Sequence, residues 1–185
     1  RQMCIRDRLI GYDRRFMANE FAKEIAFFVK GCGFEPVLSN SFVPTPSCSL
    51  YAKKFKFLGC LVITASHNPY NWLGLKIKSF KGCSVDESFT KEVEKRLLLG
   101  NSIERLEGAY EKVDIKKFHL DQIKSNFNID FIANNLKNMN LQIFVDSMHG
   151  SAANCLSQIF EGYDSKIITE IRADYDPFFG GNPPE

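Results

Sequence analysis

Ser66 and His67 stand side by side in Thr64-Ala65-Ser66-His67-Asn68-Pro69, and Gly74-Leu75-Lys76 follows a few residues later. The preceding apolar run, Gly59-Cys60-Leu61-Val62-Ile63, predicts a short buried strand. Pro69 cannot donate to a ladder and disfavours helical geometry at Asn68, so the strand must break there. A hydroxyl is thereby presented on a stiff strand-end loop, with an imidazole beside it and an ammonium nearby. This arrangement suits a nucleophilic or phosphate-carrying serine in the crevice at the carboxyl ends of α/β strands. Ser, Asn and Pro are also common turn formers, so an ordinary turn is the plainer reading of the same residues. A serine hydrolase would need a Gly-x-Ser-x-Gly elbow or a histidine oriented by an acid, and neither pattern surrounds Ser66.

The elements that position this loop can be read on either side of it. Leu9-Ile10-Gly11-Tyr12-Asp13 predicts a strand end. Residues 18–30 predict a helix with an apolar stripe of Phe21, Ile25, Phe28 and Val29, closed by Gly31 and Gly33. A strand from Glu35 leads through the Pro44-Thr45-Pro46 turn to a helix capped by Ser47 and running to about Phe57. Strand–helix–strand–helix–strand is the grammar of a mainly parallel sheet covered on both faces, an α/β/α three-layer domain. Beyond the loop come a half-exposed strand at 74–78 and a helix at 86–99 with Phe89, Val93 and Leu97 inward. A polar connector with a domain boundary near residue 110 follows, then one helical segment at 118–136. A second strand–turn–helix–strand unit opens at Leu141 and turns at Ser147-Met148-His149-Gly150.

Composition sets broad limits. The 185 residues are 44% hydrophobic and 25% charged, in the range of ordinary globular proteins. A formal charge of +2 gives no basis for a nucleic-acid or membrane-surface partner. No apolar run has the length of a membrane span. The six cysteines are scattered without metal-ligand spacing, which suits reduced thiols and a cytoplasmic setting.

The hexapeptide 64–69, followed by Asn71, Gly74 and Lys76, resembles the phosphoserine loop of the α-D-phosphohexomutases, the phosphoglucomutase and phosphomannomutase group. Here Trp72-Leu73 separate Asn71 from Gly74, residues that adjoin in the family pattern. Gly11-Tyr12-Asp13-Arg14-Arg15, Asp146 to Ala152 and Asp176 to Glu185 resemble further motifs of that family, in the same order. The resemblance implies a first α/β/α domain at 9–110, carrying the phosphoserine loop, and the start of a second at 111–185. Residues 1–8 read as an adapter-derived stretch outside the fold.

The function so implied is that of a hexose phosphomutase, an isomerase interconverting hexose 1-phosphate and 6-phosphate. Ser66, His67 and Lys76 would be catalytic and Arg15 would bind phosphate. Mg²⁺ would be the cofactor, held on this chain through the phosphate of Ser66. Sister specificities for phosphoglucosamine or phosphopentose, and a non-catalytic sugar-phosphate-binding relative, are the alternatives. Thr64, where glucosamine enzymes tend to carry Ser, leans towards glucose or mannose. The family's Asp-Gly-Asp-x-Asp-Arg metal loop is not in this sequence. These 185 residues alone are therefore expected to show no mutase turnover; measurable conversion of glucose 1-phosphate by the isolated chain would refute this.

Overall fold

The computed structural model describes residues 7–100 and 102–184. Strand β1 (Asp7–Tyr12) lies at the centre of a five-stranded sheet. It is flanked in parallel by β2 (Glu35–Ser39) and β3 (Gly59–Ile63). β4 (Leu75–Ser79) lies antiparallel beyond β3, and β5 (Glu111–Val113) lies parallel beyond β2. The order is β4-β3-β1-β2-β5.

The central strands are apolar on both faces, as a parallel sheet between helices requires. Helix α1 (Ala18–Gly31) covers one face over Ile10, Leu38 and Ile63. Helix α2 (Thr45–Lys54) covers the other, over Leu9, Val37, Cys60 and Val62. Two further helices follow α2 in the chain. These are α3 (Glu87–Leu98) and α4 (Ile115–Asn126); α4 joins α2 on its face of the sheet through Ile115 and a Tyr51–Phe118 edge contact at 5.0 Å. After α4 come α5 (Ile129–Asn138), β6 (Ile143–Asp146), α6 (Cys155–Ile159) and β7 (Ile168–Ile171). β6 and β7 pair in parallel as a second sheet.

Several expectations are corrected. Residues 1–6 lie outside the described residues, but Asp7 and Arg8 are part of β1 and pair in register with Glu35 and Pro36. Ladder bonds come from the backbone, so these two residues join the strand whatever their side chains. Helix α1 buries Ala18, Ala22 and Ala26, whereas Phe21 and Phe28 are exposed. Alanine lets the helix axis approach the sheet closely, and the phenylalanines splay to the flanks. Helix α2 begins at Thr45 after Pro44, placing Ser47 inside it, fully buried, instead of at the cap. Helix α3 buries no residue, and its Phe89 and Leu97 are exposed. The expected 118–136 helix is two, because the Asn128 side chain accepts from Phe131 N at 2.9 Å and caps α5.

The expected boundary near residue 110 falls within the first sheet's territory. The connector returns along α1, where Arg105 makes a two-bond ion pair with Glu24 at 2.7 and 2.8 Å. It then delivers β5 to the sheet edge and Ile115 to the first core.

In the second unit, Glu170 on β7 ties the turn after β6 to α6. It accepts from Ser147 Oγ, from Ser157 Oγ at 2.6 Å and from Asn154 N at 2.6 Å. Burial pushes this carboxyl up, but its hydrogen bonds to Ser147, Ser157 and Asn154 outweigh it and hold the group below its ordinary 4.5. A depressed carboxyl stabilises the fold above its unfolded pKa and loses that contribution as pH falls through the folded one. Thermal melts of the wild-type chain taken downward from pH 5 should therefore lose stability more steeply than those of E170Q.

At the first core, a Cβ on Gly11 would stand 2.3 Å from Cys48 Sγ. G11A should cost about 1–3 kcal/mol by overpacking. C48A should recover most of that loss in the double variant, as read by urea denaturation.

Candidate active site

β3 and β4 form a hairpin, and its connection is the serine loop. Thr64 N closes the base by donating to Gly74 O at 2.9 Å. Because β4 returns antiparallel with Val62 opposite Lys76, Lys76 comes back to the carboxyl end of β3, where Ser66 stands. Residues well apart in sequence thus collapse into one site.

Ser66 is exposed and adopts φ +57, the left-handed region that costs a non-glycine residue about 1–2 kcal/mol. Its backbone N–H donates to Thr64 Oγ1 at 3.1 Å, and its hydroxyl lies 3.5 Å from His67 Nδ1. The loop is folded on itself by Asn68, whose side-chain amide donates to Ala65 O at 2.9 Å.

Arg15 holds the loop from below. Its side chain is almost wholly buried, and its guanidinium donates to four carbonyl oxygens of the loop. Nη2 reaches Ser66 O at 2.9 Å and Asn68 O at 2.7 Å; Nη1 reaches Pro69 O at 2.7 Å and Trp72 O at 3.2 Å. Nε faces Asp13 Oδ2 at 3.3 Å. Burial pulls the guanidinium pKa down, and the Asp13 charge opposes that shift. The arginine expected to meet phosphate is engaged with the loop backbone and does not line the cavity above it.

That cavity has a volume of about 750 Å³ and includes Ser66, His67 and Lys76 in its lining. Sequence reasoning missed the residues that complete it. Asp13, Arg14, Thr64 and Lys78 come from the first unit, and Ser147, Met148 and Phe179 from the second. Arg14 bridges the two units, with Nη1 donating to Ala173 O at 3.0 Å and Gly150 O at 3.4 Å. The Gly-Tyr-Asp-Arg-Arg string was the available signal for Arg14, but two adjacent arginines cannot be told apart by type. His149 lies outside the lining. It is buried, with Nδ1 3.3 Å from Asp174 O, consistent with a structural part in the turn.

Asp13 is the one carboxylate lining the cavity among the described residues. Burial raises its pKa, against hydrogen bonds from Thr64 and from Arg15 N, the latter at 3.0 Å. Among the described residues no group of three or more His, Cys, Asp or Glu side chains could hold a metal ion. The donors present do not build a Mg²⁺ site by themselves. Among the described residues five cysteines are free thiols, with Cys48 and Cys60 buried in the first core. No helix among the described residues is long and apolar enough to cross a membrane.

Comparison with known proteins meets this geometry. Residues 6–102 match the family model for phosphoglucomutase/phosphomannomutase, alpha/beta/alpha domain I. Over 188 aligned residues the chain is 26% identical to a phosphoglucomutase of Staphylococcus haemolyticus, covering 96% of this chain and 34% of that protein. It is 31% identical over 163 residues to a phosphoglucosamine mutase of Prochlorococcus marinus, covering 86% and 35%. The chain thus spans about a third of the length of these curated relatives. The crystal structure of a Thermus thermophilus protein assigned as a phosphomannomutase superposes with a TM-score of 0.83. It is 30% identical, with 97% of this chain and 40% of that one covered. The open form of Paramecium parafusin, at 20% identity and a TM-score of 0.80, shares the fold, with 98% and 38% covered. With the matched model spanning more than half of its residues and the serine loop at its sheet's carboxyl edge, this chain belongs to the phosphoglucomutase/phosphomannomutase family.

Proposed function

We propose that this chain supplies the phosphoryl-carrying domain, and the opening of the next domain, of a sugar-phosphate mutase in which Ser66 is the carrier. The observation supporting this most directly is that Ser66, His67 and Lys76 line one cavity at the carboxyl ends of β1 and β3. In the forward half-reaction the Ser66 Oγ–P bond breaks as a bond forms between phosphorus and a free hydroxyl of the sugar monophosphate. His67 Nδ1, 3.5 Å from Ser66 Oγ, donates a proton to the departing serine oxygen and takes it back when the serine is rephosphorylated. The proton of the sugar hydroxyl passes to an oxygen of the phosphoryl group being transferred, which balances the step without a further side chain. Lys76 neutralises phosphate oxygens, the electrostatic service on which phosphoryl transfer chiefly depends. Mg²⁺ would add to that neutralisation in the full-length enzyme, held on this chain through the Ser66 phosphate. Arg15 serves this reading as the clamp of the loop instead of as a phosphate ligand.

The sugar is a hexose phosphate in this proposal. The match to phosphoglucosamine mutases supports an amino sugar as the second reading beside the leaning drawn from Thr64. The setting is cytoplasmic, with no nucleic-acid or membrane partner.

Made in the full-length enzyme, S66A should abolish labelling by radioactive hexose 1,6-bisphosphate. H67A should lower kcat about 10²–10⁴-fold and K76A about 10²–10³-fold. Full labelling of S66A would sink the proposal. Parallel assays with the 1-phosphates of glucose, mannose and glucosamine would separate the two sugar readings.

A further inference from the structure

The segment after β7 crosses back to the first unit and ends directly on the serine loop. Its path is pinned at two places. Arg14 Nη1 holds Ala173 O at 3.0 Å, and Asp176 folds the tip by accepting from Phe178 N at 2.8 Å and Gly180 N at 2.9 Å. The tip then places two aromatic rings on the first unit. Phe178 meets Tyr70 of the serine loop edge-on, with centroids 5.4 Å apart. Phe179 is 5% exposed, and its ring centre lies 5.0 Å from Cζ of Arg15. Phe179 also stands at φ +52, so its backbone is held in a disfavoured region by the surrounding contacts.

This seals the clamp. The Arg15 guanidinium donates to Ser66 O, Asn68 O, Pro69 O and Trp72 O, while its Cζ lies over the Phe179 ring. A buried guanidinium is best satisfied by acceptors at its edge and an aromatic ring on its face, which excludes the water that would compete for those donors. The loop carrying Ser66 is thereby held by a residue of the first unit that is itself covered by a residue of the second.

We propose that Phe179 is a positioning residue for Ser66: the strap 172–181 of the second unit caps the Arg15 clamp, so that docking of the second unit on the first sets the order of the serine loop. The strap acts through Arg15 and does not touch the reacting atoms. The coupling is a property of the fold and holds whether or not Ser66 carries phosphate, so its failure and the failure of the mutase reading are separable.

Hydrogen exchange followed by mass spectrometry on the full 185-residue chain tests it. The reporters are the amides of Ser66, Asn68 and Trp72, bonded inside the loop, with the β1–β3 ladder as internal reference. F179A should speed loop exchange roughly tenfold with the ladder unchanged. F179Y should behave as wild type. F179L, which keeps apolar bulk without the ring, should fall between them. R15K should speed the loop as F179A does, and adding F179A to R15K should speed it no further. Loop exchange unchanged in F179A would overturn the proposal. Equal acceleration of loop and ladder in F179A would also overturn it, since Phe179 would then support the fold as a whole. R14Q frees the strap at its other anchor without touching the loop, and should reproduce the F179A pattern even where F179A itself is poorly folded.

Discussion

One buried guanidinium carries the architecture of the site. Removing Arg15 from water is costly, and desolvation lowers its pKa. The cost is offset because Asp13 supplies the counter-charge and four loop carbonyls take up the Nη donors. Those carbonyls need the arginine as much as it needs them. The loop from Ala65 to Leu73 belongs to no strand or helix, so its C=O groups have no ladder to satisfy them. Lysine could not substitute, because a single ammonium cannot address four oxygens spread across the plane of a fork. The left-handed backbone at Ser66 is tolerated because the carbonyl of that residue is fixed from below.

The same constraint explains why three consecutive residues after β1 reach three different places. Asp13 N extends the ladder to Ile63 O at 3.0 Å, while its carboxylate faces Arg15. Arg14 leaves on the opposite side of the chain and meets the second unit, and Arg15 turns to the loop. β1 ends at Tyr12 and the chain bends at Arg14 and Arg15 before α1, so neighbours in sequence become partners of different elements.

This divergence of neighbouring side chains limited what could be read from the sequence. The central strands were legible because short apolar runs bounded by Gly and Pro have few other homes, and Ser66, His67 and Lys76 were legible because one hairpin contains them. The role of Arg15 was not, since a guanidinium suits phosphate and carbonyl equally and only the placement of the chain decides between them. Of the expected α1 stripe, Ile25 and Val29 do pack against the core, but Phe21 and Phe28 misled for a related reason. Phenylalanine outranks alanine in hydrophobicity, but the sheet accepts the helix on the face that lets it come close, at Ala18, Ala22 and Ala26. Helix α3 has the right period and no covering partner among the described residues, which periodicity cannot reveal. The contributions of Ser147, Met148 and Phe179 depend on how two units meet, and no local pattern encodes that.

Charge completes the account of why this cavity suits a phosphorylated ligand although the chain as a whole is nearly neutral. Arg14, Lys76 and Lys78 line it with cations, and Asp13 is the lone carboxylate among the described residues there. Burial pushes Asp13 towards its neutral form, while Thr64 and Arg15 hold it back by hydrogen bonding. The acid also pairs with the clamp beneath the loop, its Oδ2 lying 3.3 Å from Arg15 Nε. A net formal charge of +2 over 185 residues is too small to attract polyanions generally. Concentrating the cations at the carboxyl ends of the strands produces a local field that a small dianion can enter.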